Sequence, residues 1–144
     1  MLSFNNDGVL PEGVHEIDLN GFKELFGFNY KRRDMIDQGL IPFLKELTPF
    51  NVQKIFLDGS FVTQKENPGD IDGYVVTDST RPLFEFVACN SERWREKYRI
   101  DLFAALSDIP GDGSEDYWQQ FFSNTSSDVP KKKGFVALNI GERR

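Results

Sequence analysis

Cysteine and histidine are scarce in this sequence of 144 residues and positive charge is outnumbered by negative, and each of these features closes off a class of function. Cys89 is the only cysteine, so no intrachain disulfide can form and a reducing compartment fits. It ends a run, Leu83 to Cys89, that reads as buried and structural. His15 is the only histidine. It lies far from Cys89, in a turn-rich stretch beside Gly13, where a structural or surface role is expected. No apolar stretch approaches the roughly 20 residues that a bilayer-spanning helix needs, and the amino terminus has no basic-then-apolar leader. The expectation is a cytoplasmic protein with no membrane partner. Lys and Arg number 17 against 23 Asp and Glu, a net charge of -6. Sequence-independent nucleic-acid binding rests on many cationic phosphate contacts, so the composition carries no strong nucleic-acid-binding signature. The two basic runs, Lys31-Arg32-Arg33 and Lys131-Lys132-Lys133, read as solvated faces or loops.

Phenylalanine, by contrast, is abundant at 14 residues. The phenylalanines recur inside periodic segments, which points to a Phe-rich core rather than an aromatic binding face. Trp94, Trp118, Phe121 and Phe122 are read the same way. The length fits a single domain over residues 1–144 with a core of its own. Residues 1–17, with Asn5, Asn6, Asp7, Gly8, Pro11 and Gly13, read as an extended arm. Asp18 is an N-cap candidate for a short helix from Leu19 to Phe26, with Gly27 at its end. A second helix spans Tyr30 to Leu47, and Pro42 inside it must kink or split it. Apolar runs then predict strands at Val52 to Asp58, Ile71 to Thr77, Tyr98 to Leu106 and Gly134 to Ile140. Thr80 to Tyr98 reads mostly as helix, with Thr80 a candidate N-cap. Ser114 is the candidate cap of a further helix through Phe122. The fold class is α+β (mixed α/β), with a mixed sheet of about four strands flanked by helices.

Three carboxylates stand out. Asp70 and Asp72 flank Ile71 at the start of a strand, and residues two apart on a strand share a face. Asp101 sits between Ile100 and Leu102 in a later strand, and it joins the pair if the two strands are neighbours. Clustered carboxylates repel one another unless a cation compensates. Hard oxygen ligands suit Mg2+ or Mn2+. Gly59-Ser60 closes the preceding strand. A glycine there lets backbone approach a ligand, and the amides and the Ser60 hydroxyl can donate to phosphate oxygens. Thr63 and Lys65 are candidates to add a donor and a charge. Lys133, just before the last strand, is a candidate for the mouth of the site. Arg32 and Arg33 reach it only if their helix packs beside Gly59-Ser60.

In order, Leu57-Asp58-Gly59-Ser60, nine residues, then Asp70-Ile71-Asp72 resembles the signature of the DNA polymerase β-like nucleotidyltransferases, with Asp101 matching the third aspartate of that pattern. The stretch Asp58 to Asp72, the Gly13-Val14-His15 start and the late Lys133-Gly134 strand also look like a family of small uncharacterised bacterial and phage nucleotidyltransferase-like proteins. Gly73 departs from the pattern, where a hydrophobic residue is usual, and predicts a locally loose strand.

The resemblance implies a nucleotidyltransferase-like sheet. It implies metal binding and catalysis by Asp70, Asp72 and Asp101, and nucleotide binding by Gly59, Ser60, Thr63 and Lys65. The implied substrate is a nucleoside triphosphate such as ATP. Its monophosphate would pass to a hydroxyl on a protein, an RNA or a small molecule. The minimal size resembles the modifying partner of bacterial toxin–antitoxin pairs. The alternative is an inactive nucleotidyltransferase-fold module acting through a protein partner. A metal-dependent phosphodiesterase is a third reading with less support.

Overall fold

The computed structural model describes residues 2–108 and 133–141. The chain enters through β1 (Gly13–Asp18) and turns into α1 (Leu19–Phe26). Asp18 caps α1 by accepting from the Gly21 amide at 2.7 Å, and Gly27 closes it. The predicted second helix begins as α2 (Tyr30–Met35), passes through a π-helical turn (Ile36–Leu40) and ends as α3 (Ile41–Leu47). The wide turn lies just ahead of Pro42, whose ring and missing N–H a regular helix cannot accommodate. β2 (Lys54–Asp58), a short 3-10 turn (Gly59–Val62) and β3 (Ile71–Thr77) follow. Then come α4 (Pro82–Ala88), α5 (Ser91–Tyr98), β4 (Ile100–Leu106) and β5 (Gly134–Asn139).

The five strands form one mixed sheet in the order β1-β5-β2-β3-β4. β1 runs parallel to β5 and β3 parallel to β4, while β2 is antiparallel to both its neighbours. Among the described residues the fold is therefore mixed α/β, with five strands rather than about four. The extra strand is Gly13–Asp18, which the sequence assigns mainly to an arm. Its partner on β5 lies far along the chain, so no local signal announces the pairing.

The two sheet faces differ. Ile55, Leu57, Ile71, Val75, Ile100, Leu102, Val136 and Leu138 pack with Phe22, Phe26, Phe43 and Trp94 from the helices into one large core. The expected Phe-rich core is present, and Trp94 belongs to it, each large apolar side chain contributing about 1.5–3 kcal/mol on full burial. Alternation puts Phe56, Tyr74, Val76 and Phe103 on the other face, where they form a second, smaller cluster with Ala105 and Phe135. Asp58, Asp72 and Asp101 share this second face by the same alternation.

Three local readings change. Thr80 caps nothing: its hydroxyl donates to Asp78 at 2.6 Å, and α4 starts after Arg81 without a side-chain cap. The stretch from Thr80 to Tyr98 divides into two helices, α4 and α5. Cys89 is exposed at the end of α4, because it follows the last buried turn instead of sitting in it. Among the described residues no helix is long and apolar enough to cross a membrane. Trp118, Phe121, Phe122, Lys131, Lys132 and the helix expected after Ser114 lie outside the described residues.

Candidate metal centre

β2, β3 and β4 bring three aspartates into one row. Asp58 is the cross-strand partner of Asp72, and Asp72 is the partner of Asp101. Neighbouring strands lie about 4.8 Å apart, so side chains in such a row on one face meet. Asp70 is the residue directly before β3. Asp70, Asp72 and Asp101 each offer one carboxylate oxygen, and these atoms all lie within 4.8 Å of one another. The structure thus brings together the three carboxylates that the strand spacing singles out.

Their electrostatics follow from this crowding. The Asp72 carboxyl is pushed up to about 8, first by burial, then by the Asp70 charge and hydrogen bond, then by Asp101 and Asp58. Three carboxylates this close cannot all ionise at neutral pH without a compensating charge. A divalent cation would supply that charge, and an all-carboxylate oxygen set would suit a hard ion such as Mg2+ or Mn2+. Part of the compensation is already present. Arg95 Nη1 lies 3.4 Å from Asp101 Oδ1.

Asp58 is the carboxylate that sequence reasoning missed as a site residue. It is 1% exposed at the end of β2. Lys133 Nζ lies 3.1 Å from its Oδ1, close enough for an ion pair but not aligned for a hydrogen bond, so Oδ1 is buried without a hydrogen-bond partner. Burial pushes the Asp58 carboxyl up to about 6 against the pull of Lys133 and the Gly59 amide. The available signal was a carboxylate ending an apolar strand directly before Gly-Ser. Lys133 itself is mostly buried and reaches the row from the residue before β5.

The glycines have specific work. Gly59 has φ +77, a left-handed conformation, and a Cβ there would collide with Asp72 Oδ2. Both facts demand glycine. Gly59→Ala is therefore expected to destabilise the protein by about 1–3 kcal/mol and to weaken Mn2+ binding, because strain and overpacking both act there. Urea unfolding and Mn2+ titration check this, and a fully stable variant with unchanged Mn2+ affinity would rule it out. Gly73 pairs with Leu57, and a Cβ there would strike the Phe56 carbonyl oxygen. The strand is buried and in register, so Gly73 marks close approach of β2 rather than the expected looseness.

The loop after Gly59 is held from behind. Thr63 Oγ1 donates to the Ser60 carbonyl at 2.7 Å and accepts from the Lys65 amide at 3.2 Å. The Lys65 side chain is exposed, and Ser60 is partly buried. Arg32, expected on a solvated face, is 0% exposed. It does pack beside the Gly59-Ser60 turn, but its side chain donates to the carbonyls of Phe26, Ser60, Phe61, Thr63 and Lys65 at 2.6–3.2 Å. Those contacts use every donor a guanidinium has, so none is left for a phosphate. Arg33 remains exposed and donates to the Gly27 carbonyl at 3.2 Å. His15 sits in β1, with Nε2 2.6 Å from the Pro11 carbonyl, away from the aspartate row.

Residues 2–139, nearly the whole chain, match DUF6932, a family of unknown function. The chain belongs to the DUF6932 family. No curated protein and no solved structure matches it significantly.

Proposed function

We propose that this chain is a metal-dependent nucleotidyltransferase of the DNA polymerase β-like superfamily, with a nucleotidyltransferase-like sheet. It would transfer a nucleoside monophosphate from a nucleoside triphosphate to a hydroxyl on a protein, an RNA or a small molecule. The observation that carries the reading is one placement. The Asp70, Asp72 and Asp101 oxygens lie within 4.8 Å of one another, while a left-handed glycine turn is pressed against Asp72.

Asp70, Asp72 and Asp101 would hold Mg2+ or Mn2+. Once bound, the ion would neutralise charge on the phosphates and make the acceptor hydroxyl more acidic. Gly59 and Ser60 would seat the phosphates, and the half-buried Ser60 hydroxyl would donate to them. Asp101 would orient the acceptor hydroxyl. The acceptor oxygen would bond the α-phosphorus, pyrophosphate would leave with the bridging electron pair, and a site carboxylate would receive the hydroxyl proton. Alignment of the reacting groups and charge stabilisation would supply most of the rate. An acceptor hydroxyl on a partner of a toxin–antitoxin pair fits this chemistry.

The test is calorimetric titration of Mg2+ with each nucleoside triphosphate into the wild type and into the folded Asp70→Ala, Asp72→Ala double variant. Binding by the wild type alone is expected. If neither binds, or both bind equally, the reading fails. A module acting through a protein partner would then be the better account.

A further inference from the structure

We infer that Arg32 is a positioning residue, one that holds the Gly59–Lys65 segment in the conformation that seats a nucleotide beside Asp72. The inference rests on the nucleotidyltransferase reading.

Arg32 is fully buried, yet no ion-pair partner for it exists among the described residues. Burying a guanidinium without a carboxylate is costly unless hydrogen bonds take its place. Here main-chain carbonyls do so, and four of the five belong to the segment directly after Gly59. Ser60 and Thr63 accept from Nη2 at 3.2 and 2.8 Å, and Phe61 accepts from Nη1 at 2.7 Å. Lys65 accepts from both Nε and Nη2, at 2.9 and 2.6 Å. The rings of Phe28 and Phe61 lie 4.3 and 4.7 Å from the guanidinium carbon and add cation–π contact. Burial pulls the guanidinium down to about 10, which leaves it charged at neutral pH.

A trans peptide sets its N–H opposite its C=O. With the Ser60 and Phe61 carbonyls turned toward Arg32, the Phe61 and Val62 amides are turned away from it. One side chain therefore orients the peptide dipoles of the turn without touching any ligand. Asn29 extends the grip by donating from Nδ2 to the Glu66 carbonyl at 3.0 Å. None of these contacts involves Asp70, Asp72 or Asp101, so loss of the clamp should separate nucleotide affinity from metal affinity.

Arg32→Lys keeps the charge but cannot reproduce the planar fork. Asn29→Asp keeps the helix-cap acceptor and replaces the donor to the Glu66 carbonyl with a carboxylate oxygen, a milder change that serves as the second variant if Arg32→Lys does not fold. Amide hydrogen exchange over residues 60–66, titration of Mn2+ alone, and titration of magnesium with a nucleoside triphosphate are read on each. For Arg32→Lys, exchange at least tenfold faster, Mn2+ affinity within about threefold of wild type and nucleotide affinity at least tenfold weaker are expected. Asn29→Asp should shift the same two quantities about threefold. Unchanged exchange, or faster exchange with full nucleotide affinity, overturns the proposal. Equal losses of Mn2+ and nucleotide also overturn it, since they mark a merely structural role. If wild type binds no nucleotide, the functional reading has failed, while the exchange data still decide whether Arg32 holds the segment.

Discussion

Replacing Lys133 with methionine is expected to destabilise the protein by about 3–5 kcal/mol at pH 8, because it strands one member of a buried ion pair. Asp58 is the stranded member, at 1% exposure. Lys133 stands 3.1 Å from its Oδ1, and the two side chains are 9% and 2% exposed. The Asp58 carboxyl already titrates near 6 with the lysine in place, because burial outweighs the attraction. Without the lysine it must titrate higher still. A carboxyl whose folded value exceeds its unfolded one binds protons better when folded, so its ionisation costs stability as pH rises. The variant should therefore lose most of its deficit on acidification to pH 5. Adding Asp58→Asn should recover much of the deficit at pH 8, since a pair replaced as a unit is often near neutral. Urea unfolding of the wild type, Lys133→Met, Asp58→Asn and the double variant at both pH values gives the cycle. A Lys133→Met variant as stable as wild type at pH 8, or a double variant worse than the single, would show that the pair is not held as described.

A second large effect is expected in metal binding. Asp72 titrates at about 8, raised first by burial and then by Asp70, Asp101 and Asp58. A metal must displace that proton, so apparent Mn2+ affinity should rise about tenfold per pH unit between pH 6 and 7.5 and flatten above 8. Stability of the metal-free protein should move the opposite way. The folded value lies above the ordinary aspartate value of 3.8, so the unfolded chain gives up this proton first. Between about pH 4 and 8 the folded state binds more protons, and stability falls as pH rises through that window. Saturating Mg2+ should remove much of the fall. Asp72→Asn should abolish the pH slope of Mn2+ binding, weaken binding at least tenfold, and raise the melting temperature without metal at pH 8. A pH-independent Mn2+ affinity, or a metal-free Asp72→Asn protein less stable than wild type at pH 8, would contradict the carboxylate cluster as its cause.

How much of this was legible follows from the range of each interaction. Asp18 as the cap of α1 and Gly27 as its end are read within one turn. Pro42 announces a break wherever it falls in a helix, although not the π turn that absorbs it. The apolar runs of β2 to β5 announce strands because burial of one or both faces needs them. Asp70 and Asp72 converge because strand alternation has period two.

Other features depended on register and on contact partners. Asp101 joins the cluster only because β4 lies parallel to β3 with Asp72 and Asp101 paired. Asp58 enters the row through the antiparallel register of β2, and Lys133 arrives from the far end of the chain. β1 exists as a strand because β5 is there to pair with it. Gly73 reads as a weakness until the Phe56 carbonyl is seen against it.

The sequence by itself determined a mixed α/β class with a sheet flanked by helices, a Phe-rich core, a capped first helix and a pair of convergent aspartates, because periodicity and capping act over a few residues. Only the tertiary structure decided which strands are neighbours, and with them the aspartate row. It also decided the burial of Arg32. That arginine stands in a basic run that reads as solvated, and its partners are backbone carbonyls. Every residue carries such a carbonyl, so no side-chain pattern can mark the ones that will gather around a buried charge.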